Sequence, residues 1–564
     1  MTVRDDILAR LTGPGGFFET AEEEVLGERL RVFKNRPRSL REVLQTSGLH
    51  GDKEYIVDGD RRLTYAGLQQ RVASVAHGLR ERYGIGKGDR VAILAANCAE
   101  WPIAFWATVS LGGVVAALNG WWTRDEIAYG VSHSDPKLLI GDRKRLARLD
   151  GADPGVPILE IESGFPELEE AVPDAALPDT PIAEDDRAVI LFTSGTTGRP
   201  KGAVASHRAI IGFVQGANAN GLAGAMVEHA ERGEEFPLGA PRPQMVVLAT
   251  SPMFHLSGLY AQVVLQAAGG GKLVVHRGRF EPDAVLRLMQ DERVTQFTAM
   301  GAMGPRLARH PRLLDYDLSG VTAVGFGGAP ASPAVQEMMR KAFPNARANL
   351  GIGYGSSETV SVPATFGGAD YLAHPEATGR ITIGHEVEIR DPSGKVLPQG
   401  KEGEIFVRSA WSMLEYWRDP EATAETILPG RWLATGDIGR IEEGGLLYIN
   451  SRARDMILRN AENIYPVEIE YRLDRHPGVR ESAVYGVEHP EWGQEVKAVV
   501  VPEEGAAPDP ASLAAWVGET LAAYKVPTAW EIRTEPLPRN PSGKVLKNVL
   551  MGSAANVFLE DQEP

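Results

Sequence analysis

The feature that most constrains the fold is a glycine-rich segment that follows an apolar run. Residues 192–202 read Phe-Thr-Ser-Gly-Thr-Thr-Gly-Arg-Pro-Lys-Gly, directly after Ala-Val-Ile-Leu at 188–191. A short apolar run bounded by turn residues is typical of a buried strand. Glycine lets backbone N–H groups approach an anion closely, while hydroxyl groups and a lysine add donors and charge. We therefore predict a phosphate-binding loop made by Thr193, Ser194, Gly195, Thr196, Thr197, Gly198 and Lys201.

The spacing in this loop differs from that of the common nucleotide-binding P-loop, which requires G-x-x-x-x-G-K-[ST]. Here Gly195 and Gly198 are closer together, and Lys201 is followed by Gly202. The segment therefore indicates a different way of holding ATP. A flexible Gly/Ser/Thr loop is the alternative interpretation, but it explains a few such residues better than this whole ordered run.

Short apolar runs alternate with helical segments on both sides of this loop. Helices are expected at 68–83 and 101–111. Residues 222–243 lack a clean periodicity, so we expect them to form a surface excursion or to border a substrate tunnel. The alternation predicts an α/β fold with parallel-rich sheets. Buried strands are expected at 91–94, 114–118, 138–140, 246–249, 272–275 and 321–326.

The composition of the chain shifts near residue 450, where residues 450–460 form a mostly polar connection. Beyond it, a helix start at 468–474 and strands at 483–487 and 496–501 indicate a small α+β unit, large enough to fold alone. We therefore predict a large N-terminal domain over residues 1–453 and a small C-terminal domain over residues 454–564.

Composition excludes several classes of protein. A net charge of −16 argues against nucleic acid as a main partner. The single cysteine, Cys98, excludes an internal disulfide and is interpreted as a core residue. Residues 1–16 lack the apolar segment of a signal peptide. The apolar stretch 101–122 contains proline and glycines, so a buried helix and strand are expected rather than a membrane span. A cytoplasmic enzyme is the expected class.

Further motifs follow the loop in a fixed order. They are Pro-Met-Phe-His at 252–255, Gly-Gly-Ala-Pro at 327–330, Gly-Tyr-Gly-Ser-Ser-Glu at 353–358, Thr-Gly-Asp at 435–437 and Pro-Arg-Asn-Pro-Ser-Gly-Lys at 538–544. This series resembles the adenylate-forming (ANL) superfamily, which contains acyl-CoA synthetases such as fatty-acid–CoA ligases, luciferases and peptide-synthetase adenylation domains. The resemblance covers roughly residues 40–548 and is very specific because all the motifs occur in order.

The resemblance implies an enzyme with two half-reactions. ATP, with Mg²⁺, would activate a carboxylic acid as an acyl-adenylate and release pyrophosphate, and coenzyme A would then accept the acyl group, as in the EC 6.2.1 class. In the family a small C-terminal domain rotates between these steps, so that one site serves both. Arg454 and Asp455 stand at the hinge position that the family implies.

The resemblance also assigns residues to the nucleotide. The loop at 193–201 would hold the β- and γ-phosphates, the ring of Tyr354 would stack on adenine, and the carboxylate of Asp437 would accept both ribose hydroxyls. Arg452 would hold ribose or phosphate. The remaining nucleotide-binding candidates come from the two glycine motifs and are Gly328, Ala329, Pro330, Gly355, Ser356 and Ser357.

Three side chains are the candidates for catalysis. The family's lysine at the position of Lys544 bridges the substrate carboxylate and the α-phosphate. Glu358 matches the magnesium-binding glutamate, with Thr197 as a second candidate ligand, since oxygen donors suit Mg²⁺. His255 stands where the family has a gating histidine or aromatic residue beside the acyl pocket, and a core histidine is the alternative interpretation.

The sequence says less about which acid is activated and which molecule accepts the acyl group. Small residues in the expected pocket segments favour a roomy apolar pocket for a medium- or long-chain fatty acid, a sterol side-chain acid or an aryl acid. Ser451 and Ala461 depart from the family's usual glycines, and Ala461 falls in a loop that lines the thiol's approach. The alternative is therefore a stand-alone adenylating enzyme that loads a carrier protein or drives another acyl-adenylate chemistry. The resemblance leaves a homodimer open.

Overall fold

The computed structural model describes residues 3–193, 199–278, 280–327, 331–452, 455–459, 462–540 and 543–554. A large N-terminal part of mixed α/β layers and a small C-terminal part confirm the predicted fold class. The predicted domain boundary at residues 453 and 454 lies outside these ranges and stays a prediction. Across the ranges themselves, no helix combines the length and the apolar character needed to cross a membrane.

The strands, in chain order, are β1 Thr20–Val25, β2 Glu28–Phe33, β3 Glu54–Asp58, β4 Arg61–Thr64, β5 Arg90–Leu94, β6 Val114–Ala117, β7 Leu138–Gly141, β8 Ile158–Glu160, β9 Arg187–Thr193, β10 Lys201–Ser206, β11 Val246–Ala249, β12 Lys272–Val275, β13 Gln296–Met300, β14 Ala323–Gly327, β15 Leu350–Tyr354, β16 Ala364–Gly367, β17 Gly379–Ile381, β18 Glu386–Arg390, β19 Gly403–Arg408, β20 Glu415–Tyr416, β21 Ile427–Leu428, β22 Trp432–Glu442, β23 Leu446–Arg452, β24 Ile457–Arg459, β25 Glu462–Ile464, β26 Val479–His489, β27 Gly493–Pro502 and β28 Ala529–Ile532.

The helices, in chain order, are α1 Val3–Thr12, α2 Leu40–Ser47, α3 Tyr65–Tyr83, α4 Glu100–Ser110, α5 Arg124–Ser134, α6 Arg143–Leu146, α7 Gly164–Glu170, α8 His207–Glu231, α9 Leu256–Gly258, α10 Leu265–Gly269, α11 Pro282–Asp291, α12 Met303–Ala308, α13 Pro333–Ala342, α14 Gly368–Ala373, α15 Pro420–Thr426, α16 Pro466–Leu473, α17 Pro510–Gly518 and α18 Lys547–Leu550. A π-helical turn, Leu259–Val264, joins α9 to α10.

Local sequence signals set the ends of these elements. The side chain of Thr64 caps the start of α3 by accepting a hydrogen bond from the backbone N–H of Gly67, a role typical of threonine. The same helix ends at Gly84, whose left-handed backbone (φ +63°) suits a residue without a Cβ atom. Helix α13 starts similarly, with Ser332 as its cap and Pro333 in the first turn.

Two sheets form the framework of the N-terminal part. The seven-stranded sheet has the order β20-β10-β9-β6-β5-β7-β8, and its neighbours from β9 to β8 are parallel. β10 pairs antiparallel with β9, with Lys201 opposite Thr193, so the glycine-rich loop connects two strands of a hairpin rather than a strand and a helix. This connection explains why the spacing departs from that of a P-loop.

The larger sheet changes from parallel to antiparallel along its width. Its order is β18-β19-β22-β23-β17-β16-β15-β14-β13-β11-β12-β3-β4, and β21 pairs with β22. The segment from β3 to β15 is parallel, whereas β15 and the strands beyond it pair antiparallel. Large apolar side chains such as Trp106, Phe105 and Phe297 are buried within the N-terminal part.

The C-terminal part has its own sheet and core. β25, β24, β27 and β26 are adjacent, and β28 pairs parallel with β27. α16 and α17 cover this sheet through the buried side chains of Ile469, Leu473, Leu513 and Val517. The unit therefore buries an apolar core that is separate from those of the N-terminal part.

The expectation for residues 222–243 is wrong in its first half. Helix α8 continues to Glu231, and Ala223 is buried against Ile7 and Leu11 of α1. This part of α8 is rich in alanine and glycine, so its apolar face is narrow. Its packing partner comes from the start of the chain, which no local periodicity could reveal. Residues 232–243 are mostly exposed.

Candidate active site

The carboxyl ends of four parallel strands meet at one edge of the large sheet. Of the adjacent strands β11, β13, β14 and β15, β11 ends shortly before the motif at 252–255, and β14 and β15 end within the motifs at 327–330 and 353–358. In open α/β sheets, ligands bind in the crevice outside such ends. This edge of the sheet is therefore the candidate site.

Tyr354 and Asp437 form the centre of the site. The hydroxyl group of Tyr354, at the end of β15, donates a hydrogen bond of 2.7 Å to Oδ2 of Asp437 on β22. The turn before Asp437 is fixed because its backbone N–H donates to the hydroxyl of Thr435 at 3.1 Å. Asp437 stands opposite Arg452 in the β22–β23 register, with 3.5 Å between Nε of Arg452 and Oδ1 of Asp437. The three predicted nucleotide-binding side chains thus lie together.

Burial raises the pKa of Asp437 above its ordinary value. The hydrogen bond from Tyr354 and the positive charges of Arg452 and Lys544 act in the opposite direction, and Glu358 adds a repulsive charge. The carboxyl group is therefore within electrostatic reach of the two candidate catalytic residues, although one of them comes from the C-terminal part of the chain.

Glu358 is positioned by two contacts with the segment 413–416. The backbone N–H of Met413 donates to the carbonyl oxygen of Glu358 at 2.8 Å, and the hydroxyl of Tyr416 donates to Oε1 at 2.8 Å. Nζ of Lys201 lies 5.2 Å from the centre of the Tyr416 ring. Tyr416 therefore links the lysine of the glycine-rich loop to the candidate metal ligand. Motif reasoning missed this residue.

The turn after Glu358 is strained. Val360 is fully buried and has a φ of +55°, a backbone region that β-branched residues rarely adopt. The N–H of Ser361 donates across it to the carbonyl oxygen of Thr359 at 2.5 Å. The hydroxyl of Thr359 also accepts from the N–H of Ser356 at 2.8 Å. Such strain clusters at functional sites, and here hydrogen bonds within the turn hold the loop that presents Glu358.

The geometry of this loop explains why its motif contains a glycine at position 355. A Cβ atom on Gly355 would lie 2.3 Å from the carbonyl oxygen of Ser361, so only glycine fits. The hydroxyl of Ser356 accepts from the N–H of Thr359 at 3.3 Å, and Ser357 lies in the turn directly before Glu358. These predicted residues shape the loop through contacts within it.

Lys544 is presented by a short turn of the C-terminal part. The N–H of Lys544 donates to Oδ1 of Asn540 at 2.9 Å, and the N–H of Asn540 donates to the carbonyl oxygen of Lys544 at 2.9 Å. Arg539 braces the turn, donating to the carbonyl oxygen of Gly543 and to Oε2 of Glu481, both at 2.8 Å. These hydrogen bonds therefore fix the backbone at Lys544, whose charge acts on Asp437.

His255 lies among aromatic side chains. Its ring centre is 4.6 Å from that of Phe254, which in turn meets Trp121 edge to face at 5.1 Å. Burial lowers the pKa of His255 to about 4, so the imidazole is neutral at pH 7. Its Nε2 atom is buried and has no hydrogen-bond partner among the residues that the structure describes.

Several predicted site residues lie outside the described residues, and their roles stay predictions. They are Ser194, Gly195, Thr196, Thr197, Gly198, Gly328, Ala329, Pro330 and Arg454. The residues beside them are defined: the hydroxyl of Thr193 donates to the carbonyl oxygen of Lys201 at 3.4 Å, and Asp455 is half-buried between β23 and β24.

Comparison with known proteins agrees with this geometry. The family described as AMP-binding enzyme matches residues 45–417, and the family described as AMP-binding enzyme C-terminal domain matches residues 468–544. A feruloyl-CoA synthase of Amycolatopsis sp is 34% identical, over 87% of this chain and 93% of that protein. The fatty acid–[acyl-carrier-protein] ligase ScoC of Streptomyces coeruleorubidus is 30% identical, over 91% and 96%.

A solved structure is similar along nearly the whole chain. The amide bond synthetase McbA from Marinactinospora thermotolerans has a TM-score of 0.77 and 31% identity, covering 92% of this chain and all of that one. These relatives align with 87–92% of this chain and differ in the acceptor that their names indicate. With both family matches in the same order along the sequence, the chain belongs to the AMP-binding enzyme family of the adenylate-forming superfamily.

Proposed function

We propose that this protein is an AMP-forming ligase that activates a carboxylic acid with ATP and then transfers the acyl group to coenzyme A. The observation that carries the proposal is that the charge of Lys544, from the C-terminal part, acts on Asp437, which Tyr354 and Arg452 of the N-terminal part also contact. A cation delivered to a nucleotide-binding crevice suits a reaction between two anions, because their repulsion must be offset in the transition state.

The nucleoside would be held by Tyr354 and Asp437, whose side chains are hydrogen-bonded to each other. The carboxylate of Asp437 accepts hydrogen bonds and can take those of both ribose hydroxyls. The bond from Tyr354 orients that carboxylate, and the face of the Tyr354 ring offers a stacking surface for adenine. Arg452 would add a cation on the ribose side.

The phosphates would be held by Lys201 and the loop that precedes it. The donor set fits Mg²⁺: Glu358 supplies one carboxylate, and Mg²⁺ is often bound by one or two carboxylates together with substrate phosphates. Thr197 stays the second candidate ligand. Bound there, Mg²⁺ would offset phosphate charge. The hydroxyl of Tyr416 fixes the Glu358 side chain for that role.

In the first half-reaction, a carboxylate oxygen of the acid would attack the α-phosphorus of ATP. A new oxygen–phosphorus bond forms as the bond to pyrophosphate breaks, and the electron pair leaves with pyrophosphate. The ammonium group of Lys544 would contact both the acid's carboxylate and the α-phosphate, so it stabilises the charge spread between them. No proton transfer is required in this step.

For the acid, we propose a medium- or long-chain fatty acid, a sterol side-chain acid or an aryl acid. The neutral imidazole of His255 and the rings of Phe254 and Trp121 supply an apolar, aromatic wall. Similarity to a feruloyl-CoA synthase supports the aryl member of this set. A pyrophosphate-release assay over acids of graded size identifies the class of acid. Activity with acetate and with none of the larger acids contradicts the proposed class.

Coenzyme A is the proposed acceptor, and a carrier protein or an amine is the second candidate. The relatives ScoC and McbA favour keeping that candidate, as do Ser451 and Ala461 at positions where the family usually has glycine. Mass spectrometry of reactions that contain coenzyme A, a phosphopantetheinylated carrier protein or an amine decides between them. Acylation of the carrier protein or the amine but not of coenzyme A overturns the proposed acceptor. We also propose a cytoplasmic location.

A further inference from the structure

Two glycines from different parts of the chain touch through their backbones beside the candidate site. Gly301 directly follows β13, and Gly543 directly precedes Lys544. A Cβ atom built on Gly301 would lie 2.4 Å from the carbonyl oxygen of Gly543 and 2.5 Å from its Cα atom. A Cβ atom on Gly543 would lie 2.6 Å from the Cα atom of Gly301. Real Cβ atoms essentially never approach other atoms this closely.

Neither side of this contact can move aside easily. The obstructing atoms are backbone rather than the ends of flexible side chains. The carbonyl oxygen of Gly543 is held at 2.8 Å by Arg539, which Glu481 anchors in turn. Gly301 is tied to the end of a strand inside the parallel segment of the large sheet. The close approach therefore depends on the absence of both side chains.

The two parts are also joined by hydrogen bonds of Tyr465 with Glu402 and of Ser332 with Asp474, and by two ion pairs. Arg309 and Glu503 pair at 2.6 Å, and Arg475 and Glu376 pair at 3.0 Å, and all four side chains are substantially exposed to solvent. Exposed ion pairs contribute little to a docked arrangement and tolerate shifts in geometry. The glycine pair tolerates none, and it lies one residue from Lys544.

We propose that the Gly301–Gly543 contact is the docking contact of the C-terminal part in the acid-activation step. It positions Lys544 for that step and not for acyl transfer. The proposal rests on the proposed function, because it assigns the contact to one of its two half-reactions. Gly301 and Gly543 act through Lys544 and are positioning residues. In the acyl-transfer step, for which the family rotates this domain, the contact would be broken.

The test separates the two half-reactions in the full-length protein. In Gly301→Ala and Gly543→Ala, acid-dependent exchange of pyrophosphate into ATP should fall about 100-fold, since a misplacement of about 1 Å can cost that much. Transfer from a chemically prepared acyl-adenylate to coenzyme A should stay within about threefold of the unaltered protein. The loss should appear in kcat, with little change in KM for the acid.

A second measurement reports docking without using activity. Cysteines replacing Arg309 and Glu503, in a Cys98→Ala background, carry pyrene labels whose excimer fluorescence requires the docked arrangement. Adding Gly301→Ala or Gly543→Ala should abolish the excimer. The matched control is Gly84→Ala, because Gly84 has a similar positive φ but no atom within 4 Å of an added Cβ. It should leave both half-reactions and the excimer unchanged.

Three results overturn the proposal. They are full pyrophosphate exchange in Gly301→Ala, equal loss of both half-reactions, and loss of exchange while the excimer persists. The last result would place Gly301 in acid binding rather than in docking. If the unaltered protein activates none of the acids in the series, the proposed function fails, whereas the excimer measurement still decides whether the glycine pair controls docking.

Discussion

The two halves of the candidate site are held in place by different kinds of contact. Tyr354, Asp437 and Arg452 all come from the large sheet, and hydrogen bonds and strand register fix them within one domain. Lys544 arrives from the C-terminal part, which meets the N-terminal part through a backbone contact between two glycines, two exposed ion pairs and the hydrogen bonds of Tyr465 with Glu402 and of Ser332 with Asp474. The nucleotide side is thus preorganised, while the cation is supplied by docking. A site built in this way can lose one component without losing the rest.

Lys544→Ala removes the cation that docking supplies and should have the largest effect. Pyrophosphate exchange should fall about 10²–10³-fold, because removing one group that stabilises transition-state charge typically costs this much. Nucleotide binding, measured by calorimetry, should change little, since the preorganised half is intact. Lys547→Ala is the control, as Lys547 pairs with Glu470 at 2.7 Å. Unchanged exchange in Lys544→Ala would remove the lysine from the chemistry.

Asp437→Asn probes the preorganised half. Hydrogen bonds to a charged group are worth about 1.5–3 kcal/mol, so KM for ATP should rise about 10- to 100-fold. Because Lys544 still docks, the excimer signal described above should persist. Glu442→Gln, at the far end of the same strand, is the matched control. A loss of docking in Asp437→Asn would mean that the two halves are not independent.

The stability of the C-terminal part should respond to pH through Asp474. Burial raises the pKa of Asp474 to about 6, hydrogen bonds from Ser332 and Ser482 and the positive charge of Arg539 oppose that rise, and the negative charge of Glu470 adds to it. The folded protein therefore binds a proton at Asp474 more tightly than the unfolded chain, in which the pKa of an aspartate is about 3.9. This contribution favours the folded state at low pH and is lost as the pH rises through about 6. Between pH 5 and pH 7 the folding equilibrium constant should fall about tenfold.

Chemical denaturation at a series of pH values measures this effect. Asp474→Asn should flatten the profile, because the amide does not titrate. Glu519→Gln is the control on the same face of the C-terminal part, where Glu519 pairs with Arg472 at 2.6 Å and is largely exposed. A pH profile that survives in Asp474→Asn would assign the titration to another group.

Tyr416→Phe should have the smallest effect, within the preorganised half. Removing one hydroxyl that donates to Glu358 costs about 1 kcal/mol, so pyrophosphate exchange should fall about fivefold. The Mg²⁺ concentration needed for half-maximal activity should rise by a similar factor. Tyr448→Phe serves as the control, and an equal response in both variants would argue against a specific link between Tyr416 and Glu358.

Local signals and the order of the motifs were enough to propose the preorganised half. Short apolar runs located the parallel strands, and the family resemblance that the motifs carry pointed to Tyr354, Glu358 and Asp437. These patterns act over a few residues, where strand periodicity and turn chemistry leave direct marks in the sequence. The same local reading failed for the second half of α8, whose buried face depends on α1.

The amino-acid sequence alone was therefore enough to predict the α/β class, the order of the motifs and the side chains that carry charge. Which of these side chains lie in contact depends on the tertiary structure. Tyr416 reaches Glu358 because β20 pairs with β10 from more than 200 residues away. Gly543 reaches Gly301 because a separate unit docks on the sheet edge. Such contacts join distant segments, and no periodicity or spacing within either segment encodes the geometry of the other.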